Sequence, residues 1–502
     1  MGKSGATTAV RTAKVSSASN RGLWPAIQNL ASSFVVLGAL FAGVCCLLLP
    51  MRNAVLLRWY EEMSFFSSDM FGLLINHPGG LIDYAGAFLT QFLFYPWLGT
   101  AILLTLWLIT AYVISRAYRI TGAMLPWSFI PVFCLLVSAL SFDEAWISLK
   151  SYGSMFTPAV GTLTASLAIW SYRSLRSRRL AVRVVLLLIF SALYPFFGFY
   201  SVLAVAVCVS GDLAEMVRGA GRGRAVPVAV GVMAVLAVPY IYYYVWSGSV
   251  MDNEFIYFKG LPGFRLDAFD RYLWMPFALM SLSFVVYSIV DWRELKSKRL
   301  QVAGIVAVLC FGGFSFYFTG SVSRQLRATV SMLWYIDHNQ WEHVGYVMEH
   351  SRCEPDVYMV IYDGIARTKL GRQINEIEVH KADNDHENPR KSDELLGSVF
   401  LLVPANYHLG KINSSYRNAM EFTVAFGERV FYMKYMVRAA LCNGEYELAK
   451  KYNNRLMGTL FHRYWAEHYK KYIDNPELMK ESAEFNSIPP YDPDDVFVKP
   501  VG

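Results

Sequence analysis

The chain has 502 residues, of which 55% are hydrophobic and only 17% charged, and its mean hydropathy is positive. That balance excludes an ordinary soluble domain and points to a polytopic membrane protein whose main solvent is the bilayer. The formal net charge of +7 does not signal nucleic acid, because the cations fall in short clusters between apolar runs and form no single basic face.

Residues 1–28 form a polar arm carrying Lys3, Arg11, Lys14 and Arg21, and the apolar run behind it lacks a small-residue cleavage site, so it reads as a retained anchor. A helix needs about 20 mostly apolar residues to cross a bilayer. Nine runs qualify within 29–320: 29–50, 97–115, 124–140, 156–170, 182–194, 200–212, 226–246, 273–290 and 300–320. Tyr194, Pro195 and Gly198 interrupt the fifth and sixth, which read as two spans or one broken helix. Lys and Arg crowd alternate loops, as in Arg116 and Arg119, Arg173 to Arg183, Arg218 to Arg224, and Arg293 to Arg299. By the positive-inside rule those loops and the N-terminus are cytoplasmic, and the odd span count carries the C-terminal region to the periplasm of a bacterial inner membrane.

The first outer loop, 51–95, is long and not simply polar. Its stretch WYEEMSFFSSD places Glu61, Glu62 and Asp69 beside Arg58, and two interfacial helices fit its pattern. If one helix were continuous here, Glu62 and Asp69 would share a face. Thr90 and Gln91 form a polar pair that a helix–helix hydrogen bond would explain. The spans carry no central charge, which argues against a proton relay or pump.

Beyond Ser321 the composition turns polar and helical over 321–480. QLRATVSMLWYID breaks at His338 and Asn339 before QWEHVGYVMEH, and RVFYMKYMVRAALC breaks at Asn443 before EYEL, the grammar of tetratricopeptide-like helical hairpins. Trp334, Trp341, Tyr446 and Trp465 are the candidate partner-binding side chains. Residues 481–502 form a Pro-rich extended tail, and 381–392 a polar insert. His462 and His468, six residues apart, lie on different helical faces and do not suggest a metal site. Cys353 and Cys442 would pair only in an oxidising compartment.

No GxxxxGK[ST], HExxH, GxSxG or paired CxxC occurs, so phosphate-cradling loops, zincin chemistry and a nucleophile elbow find no support. The passages HPGGLIDYAGAFLTQFLFYPWLG and NGEYELAKKYNNRLMGTLFHRYWAEHYKKYI resemble an uncharacterised family of polytopic inner-membrane proteins from Bacteroides-like bacteria. That resemblance implies a membrane domain followed by a helical-repeat domain and no established activity. The layout of spans and outer loop also resembles GT-C membrane glycosyltransferases, although a clear Asp-x-Asp-like pair is missing. On that analogy Glu61, Glu62 and Asp69 would be the base or divalent-cation ligands, and Arg58, Lys150 and Arg265 would bind the donor phosphate. Layout alone is a weak warrant for activity. The expectation is therefore a non-catalytic scaffold or subunit of a cell-envelope secretion or assembly complex. Its helical repeats would bind envelope protein partners, with a glycosyltransferase using a polyprenyl-phosphate sugar donor as the alternative. Any cofactor is unknown, a divalent cation entering only with the transferase reading.

Overall fold

A computed structural model of the chain describes residues 33–140, 153, 155–175, 180–219, 224–246, 271–292, 297–321, 324–372, 401–490 and 495. The described elements are all helical. Helix α1 (Phe34–Cys46) opens on Ser33, whose hydroxyl accepts from the Val36 N–H. The sequence reading closes the first span at Pro50, but the chain passes through a π-turn at Leu47–Met51 straight into α2 (Arg52–Glu62). Pro50 removes a backbone donor and Asn53 leaves helical geometry, so the rod kinks instead of ending. The buried Asn53 amide then donates to Leu48 O at 2.7 Å, which satisfies a carbonyl the kink exposes.

The remainder of the first outer loop comprises α3 (Met70–Leu74) and α4 (Gly80–Thr90), the latter extended by a 3-10 turn at Gln91–Phe94. Then come α5 (Pro96–Tyr118), α6 (Ile130–Ala139, preceded by a 3-10 segment Gly122–Phe129) and α7 (Thr157–Ser174). Proline in the first turn starts α5, α6 and α7, where its missing N–H costs nothing. Helix α4 presses against the start of α7 at Gly86: a Cβ there would lie 2.2 Å from Thr157 Oγ1 and 2.9 Å from Thr157 N.

Next come α8 (Leu180–Ala192), α9 (Tyr194–Phe197) and α10 (Phe199–Val217). Gly198, at φ 50° and ψ −129°, ends α9, and Ser201 then donates its hydroxyl to Phe190 O. The chain therefore folds back, and the doubtful fifth and sixth segments are separate helices. Helix α10 runs past Asp212, where the sequence reading stopped. That carboxylate is buried inside the helix bundle, accepts from Tyr172 Oη and faces Arg183 at 4.0 Å. Helices α11 (Ala225–Ile241), α12 (Arg271–Ile289) and α13 (Lys298–Ser321) complete the apolar part.

Each of the nine expected segments contains helix among its described residues. Among the described residues, six stretches are long and apolar enough to cross a membrane: Phe34–Glu62, Pro96–Tyr118, Gly122–Ala139, Phe199–Val217, Ala225–Val245 and Lys298–Tyr317. Leu180–Ala192 and Trp274–Ile289 are apolar but shorter, so nine full spans is more than length and composition carry.

The C-terminal helices are α14 (Arg324–Asp337), α15 (Trp341–His350), α16 (Val357–Lys369), α17 (Leu402–His408), α18 (Ile412–Phe426), α19 (Val430–Cys442), α20 (Tyr446–Met457), α21 (Arg463–Asp474) and α22 (Ala483–Asn486). The α14–α15 break falls at Asn339, whose φ of 56° suits a residue that tolerates the left-handed region. The α19–α20 break falls at Asn443 and Gly444. Asp356 caps α16 by accepting from Met359 N at 2.7 Å, and the Thr329 hydroxyl donates to the same carboxylate. One apolar core runs without interruption from α1 through α5 and α7 into the C-terminal helices.

His408 at the end of α17 lies within this core, edge-on to Trp341 at 5.1 Å. Burial, reinforced by the charges of Arg438 and Lys369, pushes its imidazole from the ordinary 6.5 down to about 3. The folded chain thus keeps this ring neutral while the unfolded chain takes up a proton below about pH 6.5. Stability should fall by up to about 1.4 kcal/mol per pH unit as pH drops between those two values. Thermal unfolding in detergent between pH 7.5 and 5 should show that slope in the native chain and a shallower one in His408→Leu.

Candidate functional site

The acids of the first outer loop lie where α2 ends and the C-terminal helices begin to pack. Helix α2 closes at Glu62, Met63 caps it, and the Ser64 hydroxyl donates to Glu61 O at 2.7 Å. The chain then leaves helical structure until α3, so Glu62 and Asp69 do not share a helix. This corrects the continuous-helix expectation, and its cause is local: the Ser64 hydroxyl bonds back to the helix end and competes with continued helical backbone bonds.

Each carboxylate meets a basic group from far along the chain. Glu61 places both oxygens 3.0 Å from His462 Nε2, and each side chain is 3% exposed. Glu62 accepts from Lys434 Nζ at 2.6 Å. Asp69 is the outlier: 74% exposed, it accepts from Arg455 Nη1 at 3.2 Å, and Arg455 also holds Glu428. Asp83 lies apart on α4, facing His77 at 3.9 Å.

Behind Glu62 the polar network continues into the core. Lys434 also faces Asp337 at 3.9 Å, Arg438 donates to Asp337 at 2.6 Å and to Tyr469 Oη at 2.9 Å, and Arg438 Nε lies 3.0 Å from Glu484. Tyr407, Tyr435, Trp465 and Tyr469 surround the Arg438 guanidinium with ring centroids 5.1–6.0 Å away. Burial would raise the Asp337 carboxyl, but Arg438 and Lys434 hold it well below the usual carboxylate range. Burial likewise opposes the charge on Lys434, and Glu62 and Asp337 more than offset it.

Backbone contacts seal the joint. Arg429, itself buried, donates to Met63 O and Phe426 O, while Val430 N donates to Ser64 O at 3.2 Å. Gln91 accepts from Leu460 N at 3.2 Å, and Phe461 stacks on Phe94 with centroids 5.3 Å apart. Of the polar pair flagged in the sequence, Gln91 thus reaches across to the C-terminal helices, whereas Thr90 bonds back to Gly86 O on its own helix.

Among the other sequence candidates, Arg58 stacks over Trp334 at 5.5 Å, and Lys150 and Arg265 lie outside the described residues. Trp334, Trp341 and Trp465 are half-buried: Trp341 packs on His408, and Trp465 stacks on Tyr469 with centroids 3.9 Å apart. Only Tyr446 of the four is exposed. Cys353 and Cys442 are free thiols, and burial pushes Cys442 up to about 12. No group of three or more metal-capable side chains stands together among the described residues. A cavity of about 290 Å³ lies elsewhere, between α7, α8 and α10; Phe190, Leu193 and Tyr200 help to line it and no carboxylate does.

Sequence reasoning missed Asp337, Lys434, Arg438 and Glu484. The available signal was Lys434 and Arg438, two cations four residues apart in the otherwise apolar α19. A buried helix tolerates such charges only when acids face them.

Apolar helices of membrane-spanning length, joined through a buried charge network to a set of C-terminal helices, define an all-helical protein of membrane type. The chain belongs to the family of unknown function DUF6057, which it matches over residues 29–499. No curated protein and no solved structure matches it.

Proposed function

We propose that this protein is a non-catalytic scaffold of the cell envelope, a subunit that anchors tetratricopeptide-like helical hairpins to the inner membrane and holds a protein partner with them. The loop cations support a cytoplasmic N-terminus and periplasmic hairpins. One observation carries the reading: the acids a GT-C-like transferase would use are engaged by His462, Lys434 and Arg455. A general base or metal ligand needs a carboxylate open to substrate, and Glu61 and Glu62 instead join two parts of the chain. The hairpins retain exposed apolar side chains suited to a partner, among them Val424 on α18 and Tyr464 on α21.

Purification from native membranes in mild detergent tests this. A protein partner should copurify in fixed ratio and be lost from Val424→Glu and Tyr464→Ala variants whose thermal stability is unchanged. Sugar transfer from a polyprenyl-phosphate donor, abolished in a folded Glu62→Gln variant, would instead establish the transferase.

A further inference from the structure

The loop between α20 and α21 lies level with the start of a membrane-length helix. Phe461 packs its ring against three aromatic side chains that lead into α5, with centroids 5.8 Å from Phe92, 5.3 Å from Phe94 and 5.6 Å from Tyr95. Tyr95 immediately precedes Pro96, the first residue of the membrane-length stretch Pro96–Tyr118. The same loop is tied down by Leu460 N, which donates to Gln91 Oε1 at 3.2 Å, and by His462, buried on Glu61. Its height relative to α5 is therefore fixed. With α5 as a span, Leu460 sits where hydrocarbon gives way to headgroups.

Side chains and backbone both suit that depth. Leu460 is 54% exposed, and on the other side of the Phe461 ring Tyr95 is 53% and Trp97 58% exposed. Tyr and Trp favour the bilayer interface because each joins an apolar ring to a polar edge. An exposed leucine level with them gains burial from lipid that water cannot supply. The loop backbone also needs no water. Gly458 N donates to Arg455 O at 3.2 Å and Thr459 N to Leu456 O at 3.0 Å, so with Leu460 N three successive donors are satisfied within the chain. The Thr459 hydroxyl bonds back to Leu456 O at 2.7 Å. Lipid contact leaves none of these groups unpaired, which is the condition for placing a loop against hydrocarbon. We propose that the α20–α21 loop is a lipid-contact surface: Leu460 inserts into the interfacial zone of the bilayer beside Tyr95 and Trp97, and the C-terminal helices rest on the leaflet from which α5 enters. This rests on α5 being a span and is independent of the scaffold reading.

The native full-length chain in phosphatidylcholine nanodiscs, doped with a phospholipid carrying a diazirine near the ester end of one acyl chain, provides the test. After illumination and digestion, lipid adducts should fall on residues 458–461 and on 95–98, in clear excess over Tyr446, an exposed side chain at the opposite end of α20. In Leu460→Glu the adducts on 458–461 should be lost while those on 95–98 persist, and Leu460→Trp should retain both. Labelling of 95–98 with 458–461 no richer than Tyr446, or unchanged labelling of the loop in Leu460→Glu, would overturn the proposal. Absence of adducts from 95–98 as well would overturn it by removing α5 as a span. The native chain alone decides the first and last of these outcomes even if a variant fails to fold.

Discussion

Asp337→Ala should destabilise the protein by about 3–5 kcal/mol, the largest effect expected of any single polar substitution in the chain. The carboxylate faces Arg438 at 2.6 Å and Lys434 at 3.9 Å in a buried setting, so its removal leaves two cations sharing Glu62 and Glu484. Removing one member of a buried charged set is costly because the partners lose compensation without regaining water, even where the intact set contributes little net stability. Thermal unfolding in detergent measures the loss. Because Asp337 is ionised in the folded chain well below its unfolded value, its contribution is full above about pH 4 and declines only at more acidic pH. The neutral-pH result is thus free of titration at this site.

The second large effect separates the three loop acids. Glu61→Ala should cost about 3 kcal/mol, since it empties a buried carboxylate site and leaves the His462 imidazole, 3% exposed, without its acceptor. Asp69→Ala should stay within about 0.5 kcal/mol, because Asp69 is 74% exposed and Arg455 keeps Glu428. Amide exchange should mirror the ranking: loss of Glu61 should speed exchange in α2 and at Val430, whose N–H donates to Ser64 O, and loss of Asp69 should leave both unchanged.

The contrast between these acids explains what could be read from the sequence. Helix positions follow from patterns a few residues long: apolar runs place the membrane-length helices, and Asn339 and Asn443 the breaks between the C-terminal helices. The same local signals identified Glu61, Glu62 and Asp69 as unusual. Their partners were not legible, because Glu62 and Lys434 are 372 residues apart and Glu61 and His462 401 apart, and no periodicity spans such distances. Pro50 reads as a helix end, yet a π-turn and the Asn53 amide absorb the missing donor. Trp334, Trp341 and Trp465 are half-buried, and an aromatic stripe at helical spacing serves internal packing as well as partner contact.

The junction between membrane and helical parts is the feature on which the scaffold reading depends. A double-mutant cycle across Glu61 and His462, with Glu61→Gln, His462→Gln and the double variant compared by unfolding of the full chain in one detergent, tests it most directly. The two losses should be strongly non-additive, with a coupling of about 1 kcal/mol or more. Losses that add within about 0.3 kcal/mol would show that the two side chains do not meet and would remove the clamp.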